Sequence, residues 1–287
     1  MLQTLTEILK IAEDRQIAVG SFNTPDSEYV EAVIETAEEL KLPVIVQFAE
    51  GQESWTPISV MGPLMISMAK NAKVPVCVHL DHGETLSYLE QALEMGFTGI
   101  MYDGSTLPYE ENVINTRKAV AMAAKYGAGV EAELGSMGVR ESGEGCGSGN
   151  GDPTKIYTDP LKAKKFVEET GVNALACSFG TTHGIYLTEP HLDFHVVEEV
   201  RKQTGGLPVV MHGGSGVSTE DFHKAVHAGV RKINYFTYLD LAAGSAVEKY
   251  MKTSHDRVQY YKVIDAARAA MKDNVREAMR TFALLDE

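Results

Sequence analysis

Positive charge is what this chain has least of: 26 Lys+Arg stand against 40 Asp+Glu, a formal net charge of −14. That deficit argues against a protein that wraps a nucleic-acid backbone, because counterion release needs clustered Lys and Arg. Cysteine is almost absent as well. Cys77, Cys146 and Cys177 form no even set and no Cys-x-x-Cys pair, so no disulfide framework is expected. Cys77 and Cys177 lie in apolar runs and read as buried thiols, Cys146 lies in a Gly-rich loop, and all three suit a reducing compartment. No run approaches the roughly 18 apolar residues of a membrane span. The first residues also lack the basic-then-apolar pattern of a signal peptide. The expectation is a cytoplasmic protein that engages neither membrane nor nucleic acid.

What is present is an ordinary globular balance, 44% hydrophobic and 23% charged over 287 residues. That length suits two ordinary domains or one large α/β barrel. Short, continuous apolar runs recur at 17–22, 43–48, 75–80, 98–102, 129–134, 173–179, 207–211 and 230–235. Continuous rather than alternating runs are expected of parallel strands buried on both faces. Helix-length amphipathic segments lie between them, at 27–40, 86–95, 109–126, 160–170, 194–204 and 219–227. Asp26 or Ser27, Asp159 and Ser218 stand where N-caps belong. Eight strand–helix alternations predict a (β/α)8 TIM barrel over residues 1–287, with an open doubly wound sheet as the alternative. Two segments break the rhythm: a long Gly-rich loop after the fifth strand, about 135–157, and a helical tail, about 253–287.

In such a barrel the active site lies at the C-terminal ends of the strands. The residues leaving the strands are Asn23, Gln47, Asp81 with His82, Asp103, Glu131 with Glu133, His183, His212 and Asn234. Loading one rim with polar groups has no stabilising rationale, since buried unpaired polar groups are costly. Three rim histidines, His82, His183 and His212, match the ligand count of a catalytic Zn2+, which keeps one position open. The other histidines fall on helices or their flanks, except His79, which shares strand parity with Asp81. Glycine turns after strands six and seven, Gly180-Thr181-Thr182-His183-Gly184 and His212-Gly213-Gly214-Ser215-Gly216, can present backbone N–H groups to a phosphate. Asp81, beside a metal ligand, can carry a proton or merely orient an imidazole; Glu141 in the long loop is a second acid/base or a solvated side chain.

Six ordered motifs carry a resemblance: Val78-His79-Leu80-Asp81-His82-Gly83, Asp103-Gly104-Ser105, Glu131-Ala132-Glu133-Leu134-Gly135, Thr182-His183-Gly184, His212-Gly213-Gly214-Ser215-Gly216 and Lys232-Ile233-Asn234. From Phe22-Asn23 to about Leu241 the chain resembles the class II, zinc-dependent ketose-phosphate aldolases, which include fructose- and tagatose-bisphosphate aldolases. The resemblance implies a lyase that cleaves a ketose 1-phosphate or 1,6-bisphosphate to dihydroxyacetone phosphate (DHAP) and an aldehyde. It implies Zn2+ on His82, His183 and His212, an auxiliary metal site at Asp103 and Glu133, and an ene-diolate stabilised by the zinc. Asp81 would exchange the C4-hydroxyl proton and Glu141 the proton on the DHAP carbon. Asn23, Gln47, Gly184, Gly213, Gly214, Ser215, Asn234, Phe236 and Thr237 would line the sugar-phosphate site, and Gly213 with Ser215 a Na+ or K+ site. A homodimer or homotetramer is implied too.

Departures from the pattern bear on the substrate. Asn234-Tyr235-Phe236-Thr237-Tyr238 replaces the family's Asn-x-Asp/Ala-Thr-Asp/Glu, so Phe236 offers only a backbone N–H. The bisphosphate enzymes carry Asp-Pro-Arg-Lys near the end, whose Arg meets the distal phosphate; Gln259-Tyr260-Tyr261-Lys262 stands there instead. The acceptor expected is therefore not the usual triose phosphate, although a bisphosphate aldolase with a different distal site stays open. A Schiff-base aldolase is disfavoured because no Lys leaves a strand; Lys232 sits at the start of the eighth. A metal-dependent hydrolase would more often show a His-x-His pair after strand one. A non-catalytic companion subunit would be signalled by loss of a zinc His or of Asp81, and all are present.

Overall fold

The computed structural model describes residues 1–135, 157–184, 190–254 and 257–286; Glu141 and Cys146 lie outside them. Eight parallel strands close into a barrel in sequence order: β1 (Val19–Asn23), β2 (Val44–Ala49), β3 (Val76–Gly83), β4 (Gly99–Tyr102), β5 (Gly129–Leu134), β6 (Ala174–Cys177), β7 (Val209–Met211) and β8 (Val230–Tyr235). Around them run α1 (Leu5–Arg15), α2 (Ser27–Leu40), α3 (Ile58–Asn71), α4 (Leu86–Met95), α5 (Tyr109–Ala124), α6 (Pro160–Thr170), α7 (Phe194–Gln203), α8 (Thr219–Ala228), α9 (Thr237–Thr253) and α10 (Tyr260–Phe282). The barrel, not the open sheet, is the outcome. Pro43, Pro75 and Pro208 each stand one residue before a strand, where a missing N–H costs no ladder bond. The caps expected at Asp26, Asp159 and Ser218 all accept hydrogen bonds from first-turn N–H groups.

Several strand ends depart from the sequence reading. β6 is shorter than the apolar run suggested, and β3 runs three residues further, through Asp81, His82 and Gly83. The extension is possible because the β3–β4 register shifts between Leu80 and Gly83, and His82 takes a left-handed backbone (φ 43°) at that bulge. Such a conformation is uncommon for a non-glycine residue, and bulges re-aim side chains beside functional sites.

The barrel interior changes character with height. At the N-terminal end, Val19, Ile45, Cys77, Ala174, Ala176 and Val210 form an apolar layer closed by Leu5, Ile8, Leu9 and Ala12 of α1. Two residues further up the strands the inward positions turn polar: Ser21, Gln47 and His79 are all fully buried. α1 itself was absent from the sequence reading, although Thr4 and Glu7 make a complete capping box. α10 crosses back over the barrel: Ala18 N donates to Phe282 O at 3.0 Å, and Phe282 packs edge-on against Phe222 and Tyr235. No described helix is long and apolar enough to cross a membrane.

Candidate active site

Asp81 is held from three strands at once. Asn23 Nδ2 on β1 donates to Oδ2 at 3.0 Å, Gln47 Nε2 on β2 to the same oxygen at 3.1 Å, and Asn234 Nδ2 on β8 to Oδ1 at 3.0 Å. Gln47 is fixed in turn, since Ser21 Oγ donates to its Oε1 at 2.5 Å and its Nε2 donates to Asn23 Oδ1 at 2.9 Å. Burial pushes the Asp81 carboxyl upward, but the neighbouring His82 and Lys232 and the Asn23 amide outweigh it and hold it below the usual carboxylate value. The result is a buried, ionised carboxylate aimed by amides that cannot take its proton.

Three imidazoles converge next to it. One ligand nitrogen each of His82, His183 and His212 fits within 4.8 Å of the others. His212 Nδ1 lies 3.0 Å from His82 Nε2, near the roughly 3.3 Å edge of a tetrahedral site with metal–N bonds of about 2.0–2.1 Å. Each of these two rings is oriented from behind. His82 Nδ1 meets Asp103 Oδ2 at 2.7 Å, and His212 Nε2 meets Glu131 Oε1 at 2.8 Å, the carboxylate–histidine arrangement typical of metal ligands. Asn234 Nδ2 also lies 3.2 Å from His212 Nε2; an amide N–H can only donate, so Glu131 is the group that takes the ring proton.

The charge balance favours a cation. Glu131 and Glu133 are buried with Asp81, and the Asp103 side chain is only 6% exposed. Burial and the neighbouring Asp103 push the Glu133 carboxyl up to about 8. Burial opposes a charge on His82, yet Asp81, Asp103 and Glu133 together push its imidazole up to about 10. A donor set with that surplus of negative charge suits a divalent ion as well as it suits a proton. The three histidines therefore fit a metal, and His82, Asp103 and Glu133 form a second group that fits one.

The loops after β6, β7 and β8 complete the mouth. Gly213 has φ +65°, and a Cβ there would stand 2.2 Å from Thr182 O, so the His183 and His212 loops meet backbone to backbone. Ser215 Oγ accepts from the N–H groups of Phe236 and Tyr238, both at 3.4 Å, and so caps α9, whose first helical residue is Thr237. Gly214 N donates to Asn234 O at 3.2 Å. Gly184, in the connection between β6 and α7, has φ +92°. Trp55, the chain's single tryptophan, is 62% exposed and lies 6.1 Å from the Phe236 ring. All the site residues expected from the sequence, except Glu141, thus fall on the strand ends or loops of one barrel mouth.

Two residues lie deeper in the barrel than the sequence suggests. Glu131 lies inside β5 rather than at its exit, and Lys232, placed by the sequence reading at the start of its strand, points inward with no exposure. The signal was strand parity, which puts Lys232 on the same face as Asn234 and Glu131 on the same face as Glu133.

Comparison with known proteins gives a consistent picture. Residues 3–286 match the family described as fructose-bisphosphate aldolase class-II. A "Probable fructose-bisphosphate aldolase" of Bacillus subtilis is 38% identical, covering 98% of this chain and 97% of its own. A "Fructose-bisphosphate aldolase" of Staphylococcus aureus is 36% identical over the same shares. The crystal structure of the YdjI aldolase from Escherichia coli superposes with a TM-score of 0.86 at 34% identity, covering 98% of this chain and 97% of that one. With fold, mouth and sequence in agreement, the chain belongs to the class II fructose-bisphosphate aldolase family of lyases, metal-dependent enzymes that cleave a sugar phosphate to DHAP and an aldehyde.

Proposed function

We propose that this aldolase acts on a ketose 1-phosphate whose aldehyde half carries no phosphate held by an arginine. The observation that carries the catalytic part is Asp81, buried, ionised and held by three amides beside the converging His82, His183 and His212. These histidines would hold Zn2+, the ion that most often takes three imidazoles and an open position. When bound, it supplies Lewis-acid polarisation of the substrate ketone. Asp81 accepts the proton of the C4 hydroxyl as the C3–C4 bond breaks, releasing the aldehyde and leaving the electron pair on the carbon beside the ketone. Glu141, in the segment outside the described residues, is assigned the return of a proton to that carbon. Asp103 and Glu133 would serve as the auxiliary metal site.

The 1-phosphate is assigned to the loops of Gly184, Gly213, Gly214 and Ser215 and the N-terminal end of α9 at Phe236 and Thr237, with Na+ or K+ beside Gly213 and Ser215. Asn23, Gln47 and Asn234 face the sugar. A helix N-terminus with its cap hydroxyl is a favourable place for an anion. The acceptor assignment rests on 259–262, where α10 begins with Tyr260 and Tyr261, 78% and 57% exposed, in place of the family's arginine. A planar guanidinium grips phosphate bidentately, and neither Tyr nor Lys262 reproduces that. A single barrel domain, a homodimer or homotetramer and a cytoplasmic location belong to the same reading. Leu241 and Met251 on α9, half-exposed, support self-association, and the buried free thiols of Cys77 and Cys177 support a reducing compartment.

The test is a retro-aldol screen of ketose 1-phosphates and 1,6-bisphosphates coupled to DHAP detection, with and without chelator. Release of DHAP from a monophosphate, abolished by chelation and restored by Zn2+, is expected. A preference for fructose 1,6-bisphosphate over every monophosphate would overturn the acceptor assignment. Undiminished turnover after complete metal removal would overturn the mechanism.

A further inference from the structure

The mechanism above makes no use of a fully buried lysine. Lys232 is wholly buried at the third position of β8, beneath the mouth. A lysine so placed is rare unless it is paired, because its ammonium loses hydration that only nearby acceptors can replace. Its Nζ lies 2.9 Å from Glu131 Oε2 and donates to Asn234 Oδ1 at 2.6 Å. Each partner leads directly to the site. Glu131 turns its other oxygen to His212 Nε2 at 2.8 Å, and Asn234 turns its amide nitrogen to Asp81 Oδ1 at 3.0 Å.

The polarity of these contacts has only one consistent assignment. An ammonium donates three hydrogen bonds and accepts none. Facing Lys232, Asn234 must therefore present its carbonyl oxygen, and its NH2 is left for Asp81. Reversed, the amide would place its carbonyl oxygen against a carboxylate. Facing the same ammonium, Glu131 is held with Oε2 engaged and Oε1 free to accept from His212 Nε2–H. That proton fixes the tautomer, so Nδ1 is the nitrogen offered toward His82 Nε2, 3.0 Å away. Another neighbour is His79, whose Nε2 lies 3.5 Å from Glu131 Oε2 and which burial, reinforced by Lys232, keeps uncharged.

We propose that Lys232 is a positioning residue that sets, through Glu131, which nitrogen His212 offers to the metal and, through Asn234, which end of the amide meets Asp81. It touches neither substrate nor metal. The inference rests on the reading of His212 as a metal ligand and Asp81 as the proton carrier.

Two variants test it: Lys232→Met, which keeps the length and removes the donors, and Lys232→Met/Glu131→Gln, which also removes the stranded negative charge. Three quantities are read: melting temperature, Zn2+ affinity by competition with a chromophoric chelator, and kcat with KM for condensation of DHAP with D-glyceraldehyde. The single variant is expected to lose stability and to bind Zn2+ about tenfold or more weakly, the range for residues behind a metal ligand. The double variant is expected to regain most of the melting temperature. Its kcat should stay at least about tenfold down at saturating Zn2+, with KM within a few-fold of wild type, because nothing orients Asn234. If the single variant does not fold, the double variant carries the test alone. A double variant with wild-type Zn2+ affinity and kcat shows that Lys232 only neutralises Glu131, and the proposal falls. The Zn2+ arm needs no sugar, so a wrong substrate assignment and a wrong role for Lys232 give different results.

Discussion

Two sets of ion pairs in this protein use the same side-chain chemistry in opposite surroundings. Inside the barrel, Lys232, Glu131 and Asp81 are buried and linked through Asn234 and His212. On the outer seam between α2 and α10, Glu31, Glu35 and Glu39 face Arg268, Lys272 and Arg276 in matching four-residue steps. Arg268 pairs with Glu31, Lys272 with Glu35 at 3.1 Å and Glu39 at 2.8 Å, and Arg276 with Glu39 at 2.8 Å. Water competes for every seam pair, so each is worth only about 0–1 kcal/mol and weakens with salt. Inside the barrel no water competes, and a missing partner strands a charge at a cost of several kcal/mol. The seam adds a little stability and tolerates loss; the interior dictates directions and does not.

Breaking the interior at its reacting end should give the largest effect. Asp81→Ala is expected to lower kcat by about 10²- to 10⁴-fold while bound metal, measured by atomic emission, stays stoichiometric. Loss of metal together with activity would mean that Asp81 holds the histidines rather than the substrate proton. Asn23→Ala removes one of the three amides on Asp81. A hydrogen bond to a charged group is worth about 1.5–3 kcal/mol, so a fall of roughly 10- to 100-fold in kcat is expected; an unchanged kcat would show the other two donors suffice.

An intermediate case sharpens the contrast. Glu13 Oε1 meets Arg201 at 2.8 Å and Oε2 meets Arg231 at 2.8 Å at the closed end of the barrel. Burial raises the Glu13 carboxyl, but the two guanidiniums outweigh it and leave it below its ordinary value. A carboxyl lowered in the folded state adds stability above its unfolded value, near pH 4.3, that disappears as pH falls through the folded value. Glu13→Gln should therefore flatten the acid limb of melting temperature against pH and lower the plateau near neutrality. The seam should give least: Lys272→Ala is expected to cost under about 1 kcal/mol, a shift of at most about 4 °C that vanishes in 1 M NaCl. A larger, salt-insensitive loss would place the seam with the interior.

The strand–helix rhythm was legible because parallel strands buried on both faces leave continuous apolar runs; Asp81, His82 and His212 were legible because they directly follow such runs, and His183 because it stands in the glycine turn after one. The seam was legible in principle too, as two helices with charges every four residues. The β3 bulge was not. Nothing in Leu80-Asp81-His82-Gly83 announces a left-handed histidine; only pairing with β4 produces the register shift that aims the ring. Lys232 reads in the sequence only as a residue near the start of its strand; strand parity with Asn234 turns it inward.

Trp55 carries a practical consequence. The chain's other residues contribute no second indole, so tryptophan emission from this protein has a single source. That source stands exposed at the rim, 6.1 Å from the ring of Phe236, whose backbone N–H helps form the turn into α9. Occupancy of the mouth can thus be followed optically in the unlabelled protein, and a titration with DHAP alone would count sites before any acceptor is known.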